Sequence, residues 1–247
     1  ISSKVTIEGP MVKNQSSFLV SGRRTYLDMF LPLSPDEDIH GNQLFFYDTN
    51  FKLNWITNDN NRFFLSGYLG RDVFKNEYAG LDFGNKTLTL RWNHLFSPRL
   101  FSNATLVFSR YDYLLESTGD AFSSINWDSR LNDFSLKYAF TYYPRPEDLL
   151  EFGLQSIYHA IKPGDVSSYD ENQGKQLIEV PKANALEHAA YISHTRKISP
   201  QLSIRVGLRF SLFQNIGKGR SFRYDDSFIP VDTLNYSKGH LYNQFAG

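Results

Sequence analysis

Hydrophobic and polar residues alternate with a period of two along most of this chain. That is the spacing of a β-strand rather than of a helix. Phe134, Leu136, Tyr138, Phe140 and Tyr142 alternate with Ser135, Lys137, Ala139 and Thr141. After a Pro-Arg-Pro turn, Leu150, Phe152 and Leu154 resume against Glu151, Gly153 and Gln155. Tyr47, Thr49, Phe51, Leu53 and Trp55 behave likewise, as do Leu88, Leu90 and Trp92, and Ala104, Leu106 and Phe108. The cleanest run is Leu202, Ile204, Val206, Leu208, Phe210 and Leu212 against Ser203, Arg205, Gly207, Arg209 and Ser211. The pattern predicts ten strands, over 2–9, 16–26, 43–56, 62–72, 85–96, 100–113, 130–143, 148–160, 186–197 and 200–214, and an eleventh opening near 240.

The connections sharpen the picture. Five are short and rich in turn formers: 9–14, 57–61, 97–99, 144–147 and 198–201. Five are long and polar: 27–42, 73–84, 114–129, 161–185 and 215–239. Short and long alternate strictly, so an up-and-down meander puts all short turns at one end and all long loops at the other. Transmembrane barrels have this asymmetry. Most of these strands run ten residues or more. Ten residues rise ~33 Å, which a ~45° tilt projects to roughly 23 Å, against an apolar band about 25 Å tall in outer-membrane barrels. The fold class expected is therefore all-β: an antiparallel up-and-down meander of long strands, part of a large transmembrane β-barrel.

Composition narrows the function classes. The formal net charge of the 247 residues is zero, which gives nucleic acid or a strongly charged partner no support. No apolar run approaches the ~20 residues of a membrane helix, a limit that leaves barrels untouched. Cysteine is absent, so thiolate metal sites and thiol nucleophiles are excluded from this chain. With 21 Phe, 15 Tyr and 3 Trp, the apolar faces can carry rings near strand ends, as at Trp55, Trp92, Tyr138, Tyr142 and Tyr143. Such rings suit a membrane–water interface.

Two segments carry a family resemblance. SSKVTIEGPMVKNQSSFLVSGRRTYLD (2–28) resembles early barrel strands of TonB-dependent outer-membrane transporters: a strand, a Gly-Pro turn with a polar insert, and a strand ending in Arg-Arg-Thr-Tyr. HAAYISHTRKISPQLSIRVGLRFSLF (188–213) looks like a second barrel signature of the same family, closing on Gly-Leu-Arg. The resemblance implies a 22-stranded barrel of the bacterial outer membrane, plugged by an N-terminal domain. Such a parent would import a scarce large nutrient (a metal chelate, cobalamin or a glycan) with energy delivered through TonB. This chain would be a mid-barrel piece, residues 1–247 forming one partial barrel domain, with plug, TonB-contacting segment and remaining strands elsewhere. Its expected partners are outer-membrane lipid, the plug and the rest of the barrel, with TonB reached through the missing N-terminal part. A surface lipoprotein cap stays open. No cofactor and no enzymatic activity are expected.

The resemblance sorts the charged residues. Arg23 and Arg24 suit plug contacts or a hydrated strand end. Arg91, Lys137, Arg205 and Arg209 stand on small-residue faces and suit a lumen, either as solute or plug contacts or as plain wet wall. Leu88, Leu90, Trp92, Phe134, Leu136, Tyr138, Phe140, Leu202, Ile204, Val206, Leu208 and Phe210 form the expected lipid-facing set. The acidic stretch 34–42 lacks the ligand spacing of a calcium loop and reads as a solvated loop. His188 and His194, six residues apart on one strand face, stand roughly 20 Å apart, too far to share a metal. Two other readings stay open: an outer-membrane barrel enzyme, into which Asp225, Asp226 and His240 fit only without support from their spacing, and a soluble all-β binding module.

Overall fold

A computed structural model describes residues 1–118, 123–170, 174–217, 219–225, 230–236 and 242–246. The strands are β1 (Ser2–Val12), β2 (Ser16–Thr25), β3 (Gln43–Asn58), β4 (Asn61–Lys75), β5 (Ala79–Ser97), β6 (Leu100–Thr118), β7 (Ser123–Arg145), β8 (Asp148–Asp170), β9 (Gly174–Glu179), β10 (Ala183–Lys197), β11 (Ser203–Ile216), β12 (Gly219–Tyr224), β13 (Pro230–Tyr236) and β14 (Tyr242–Ala246). One antiparallel sheet takes them in chain order from β1 to β8, then β10, β11 and β14. β9 pairs the upper part of β8 beyond the end of β10, and β12 and β13 form a separate hairpin. The expected meander is the observed one.

Every expected strand is present, but several are far longer. β7 and β8 have 23 residues each, ~76 Å at ~3.3 Å per residue. Three of the long loops expected from sequence are consequently overturned. Residues 73–84 fold as the ends of β4 and β5 around a tight turn in which the Asn76 side chain accepts from the backbone of Tyr78 and Ala79. Residues 114–118 and 123–129 continue the β6–β7 ladder, and 161–170 with β9 continue β8. Two more strands, β12 and β13, occupy part of 215–239. Among the described residues, 26–42 keeps a loop's character, with one turn of α-helix over Leu27–Phe30 and two 3-10 turns.

The sheet is a single layer. Among the described apolar residues only Val73, Ala185 and Ala189 are buried, while Val5, Ile7, Leu106, Leu154, Val206 and Leu208 are each more than half exposed. A soluble sandwich needs a second layer to cover such a face. None is present among the described residues.

Candidate functional site

Register fixes which side chains share a face, because directly paired residues project the same way. On one face, here the belt face, the rows run horizontally through many strands. One row is Leu53, Leu65, Leu90, Leu106 and Leu136, continuing through Ser156 and His188 to Leu212. Above it stand Phe51, Gly67, Leu88, Phe108, Phe134 and Tyr158. Phe134 meets Phe108 at 5.0 Å and Tyr158 at 6.3 Å between ring centres. Below it lies a second aromatic chain. Phe63 stacks on Trp92 at 6.1 Å, His94 meets Trp92 at 5.4 Å and Phe96 at 4.4 Å, and Phe140 meets Phe96, Tyr138 and Phe152. Trp92 Nε1 donates to Asn61 Oδ1 at 2.9 Å, which leaves its ring apolar and its polar edge satisfied.

This apolar belt ends sharply. The next row up is Thr49, Leu69, Lys86, Arg110, Asn132, Ala160 and Asn184. The row above that holds Arg71, Asp112, Arg130 and Lys162. At the lower end, Asp148 takes His194 at 3.0 Å and Arg196 at 4.0 Å. From the Tyr142 row to the Asn132 row is ten residues of β7, ~33 Å along the strand and roughly 23 Å at a ~45° tilt.

The opposite face inverts this order. Level with the belt it is mainly polar, with Ser66, Lys52, Asn54, Thr89, Arg91, Thr105, Ser135, Lys137, Gln155 and Glu151 around Phe64, Val107 and Ile157. Above the charged rows it turns apolar, with Phe74, Leu81, Phe83, Tyr113, Leu115 and Trp127. Both faces change character at the same height.

On this wet face, Arg23 pairs across to Asp48 at 2.7 Å. Arg205 reaches Glu151 at 2.8 Å and Ser193 at 3.3 Å. His159 Nδ1 lies 2.7 Å from Asp133 Oδ1, and its Nε2 lies 3.9 Å from Glu187. Among the described residues, no group of three or more His, Asp or Glu side chains has the geometry to hold a metal ion.

Of the residues singled out from sequence, Arg23, Arg91, Lys137, Arg205 and Arg209 stand on this face. Arg24 does not: it faces the belt side, pairs with Asp28 at 2.7 Å and lies over the Tyr26 and Phe45 rings. Neighbours in a strand cannot share a face. Leu88, Leu90, Trp92, Phe134, Leu136, Tyr138, Phe140, Ile204, Val206, Leu208 and Phe210 all lie on the belt face. Leu202 falls one residue before β11, in a turn where its N–H donates to Ser199. Tyr143 packs on Phe101, away from the belt, because it follows Tyr142 in the strand and alternation turns it to the other face. Asp36 caps a 3-10 turn through the Asp38 N–H, so the acidic stretch serves local structure. Asp226 and His240 lie outside the described residues. The Asp133–His159 pair escaped the sequence reading, because the register shift between Tyr142 and Arg145 displaces a simple count from the Pro-Arg-Pro turn by one residue.

In the charged rows above the belt, two cations have their pKa raised. Arg71 is raised by hydrogen bonding to Asp82, with the charges of Asp82 and Asp112 adding to this and partial burial opposing it. Lys162 is raised by hydrogen bonds to Asp128 and Asp165, both at 2.7 Å.

The sequence matches no family model and no curated protein. Among solved structures, the copper transporter OprC superposes over 99% of this chain with a TM-score of 0.68 at 12% identity. BauA, the ferric preacinetobactin receptor from Acinetobacter baumannii, superposes over 87% at 0.61 and 11% identity. Fiu, the ferric-catecholate import receptor of E. coli K12, superposes over 99% at 0.59 and 9% identity. The chain spans 40%, 39% and 46% of those structures, less than half of each. Its fold is thus that of part of the large antiparallel barrel of TonB-dependent receptors.

Proposed function

We propose that the chain is part of the barrel wall of an outer-membrane active importer. The observation that carries this reading is the belt: a face apolar over roughly 23 Å, ringed by aromatics at both edges and by charge beyond them. Outward projection of that face into lipid leaves Arg91, Lys137, Arg205 and Arg209 lining a water-filled lumen. On this reading lipid covers the face that no second layer covers among the described residues. The likeness to a copper transporter and to two ferric-chelate receptors supports nutrient import. On this reading, TonB supplies the energy through a plug carried by the parent protein, and the cargo is a nutrient too large and scarce for passive pores.

The absence of cysteine makes the topology directly testable. Single cysteines replacing Leu136 and Lys137 in the full barrel, in membranes, are exposed to a charged maleimide. Lys137→Cys should label and Leu136→Cys should not. Equal labelling would refute the belt as the lipid face. Import is tested by uptake of candidate chelates into cells, with and without the proton gradient. Accumulation that survives loss of the gradient would overturn active import.

A further inference from the structure

The charge above the belt is layered. Nearest the belt, Lys86 on β5 and Arg110 on β6 stand directly opposite each other on the belt face. Like charges so placed repel, with Cβ atoms ~5 Å apart. One row higher come Arg71, Arg130 and Lys162 with a single carboxylate, Asp112. Another row up the carboxylates dominate, with Asp82, Asp128 and Asp165. Those acids are already engaged by Arg71 and Lys162, and Asp112 is shared by Arg71 and Arg110. Among the described residues, Lys86 is exposed and has no ion-pair partner, and Arg130 Nε is buried without a hydrogen-bond acceptor. Positive charge therefore peaks at the level where the apolar belt stops, and the carboxylates in reach do not balance it.

We infer that Lys86, Arg110 and Arg130 form a docking site for the phosphate of a lipid headgroup, with the lipid's acyl chains lying down the belt over Leu88, Phe108 and Phe134. This rests on the membrane reading above and adds to it a specific lipid contact. A phosphate monoester carries close to two negative charges and three acceptor oxygens, enough to hold two or three cations at once. The exposed chains of Leu88 and Phe134 directly beneath give the acyl part its surface. A free anion would gain the charge contact but nothing from that surface.

The test uses the full barrel purified in mixed micelles, with bound lipid counted by native mass spectrometry. Phosphatidic acid should be retained over phosphatidylcholine by about 30-fold, the combined effect expected of two interfacial cations. Lys86→Gln with Arg110→Gln should abolish that preference, while Lys137→Gln, on the opposite face, should keep it. Excess inorganic phosphate should not displace the lipid. A folded double variant with undiminished preference would overturn the inference, and so would displacement by inorganic phosphate, which would mark a free-anion site. A wild-type barrel that inserts into vesicles but shows no preference sinks this inference alone. A chain that binds neither micelle nor vesicle sinks the membrane reading beneath it.

Discussion

Replacing Leu136 with Arg tests the belt at its middle. Leu136 lies in the leucine row between Leu106 and Ser156, half exposed, two residues below Phe134 and two above Tyr138. Removing the leucine costs little burial within the protein, because half its surface already faces outward. The cost comes from placing a guanidinium in hydrocarbon, about 2–4 kcal/mol near the midplane of a barrel. That corresponds to a roughly 30- to 900-fold loss in the folded-to-unfolded ratio in lipid. The same sheet supplies its own control. Lys137→Glu, one residue on, changes charge by two units on the wet face and should cost under about 1 kcal/mol, as expected for an exposed group with no ion-pair partner among the described residues. The assay is urea-induced unfolding of the full barrel from phosphatidylcholine vesicles, followed by tryptophan fluorescence, with midpoints compared at equal slope. Similar losses at both positions, or a Leu136→Arg cost below that of Lys137→Glu, would refute the assignment of the belt to lipid.

The remaining predictions use the same unfolding measurement. A side chain at Gly67 would land on the Phe51 ring across the strand pair, so Gly67→Leu should destabilise by ~1–3 kcal/mol through overpacking. Gly153→Ala should do at least as much, because its Cβ would sit 2.6 Å from the Tyr138 carbonyl oxygen, which cannot swing aside; a neutral result at Gly153 would show that the β7–β8 ladder shifts freely. The Arg205–Glu151 pair is largely open to water, so a double-mutant cycle should return a coupling of ~0.2–1 kcal/mol that fades with added salt. Lys162 has a raised pKa. Its contribution is therefore fully present below the unfolded lysine value of about 10.4 and is lost only as pH rises through its higher folded value. Lys162→Met should accordingly flatten stability against pH only on the alkaline side, and a change confined to acid or neutral pH would contradict the assignment.

The belt was legible in sequence because strand geometry sends successive side chains to opposite faces, so an apolar face next to a polar one reads as period two. Phe134 to Tyr142 and Ile204 to Phe210 alternate cleanly, and the structure keeps each of those sets on one face. The strands were cut short for the same reason. At Lys86 on β5 and Arg110 on β6 the belt face turns charged, and beyond them Leu81, Phe83, Tyr113 and Leu115 appear on the other face. Alternation then reverses phase, and a continuous ladder reads as polar loop. Hydrophobic periodicity thus marks where the apolar belt ends, not where the backbone pairing ends. Arg24 was misplaced by proximity to Arg23, although a strand separates such neighbours. The Asp133–His159 contact joins residues 26 apart in sequence, and it follows only from a register that the shift beside the turn sets.

The height at which both faces change character has a consequence for assembly. Plain alternation proofreads a hairpin against slipping by one residue, since every side chain would then face the wrong way. It is blind to a slip of two, which restores every face. Here a two-residue slip of β6 against β5 would lower Arg110 into the phenylalanine row or raise Phe108 among the cations, and on the other face would drag Tyr111 or Ser109 out of step. The inversion acts as a vernier on the ladder: it makes the absolute height of each strand, and not merely its parity, an energetic quantity.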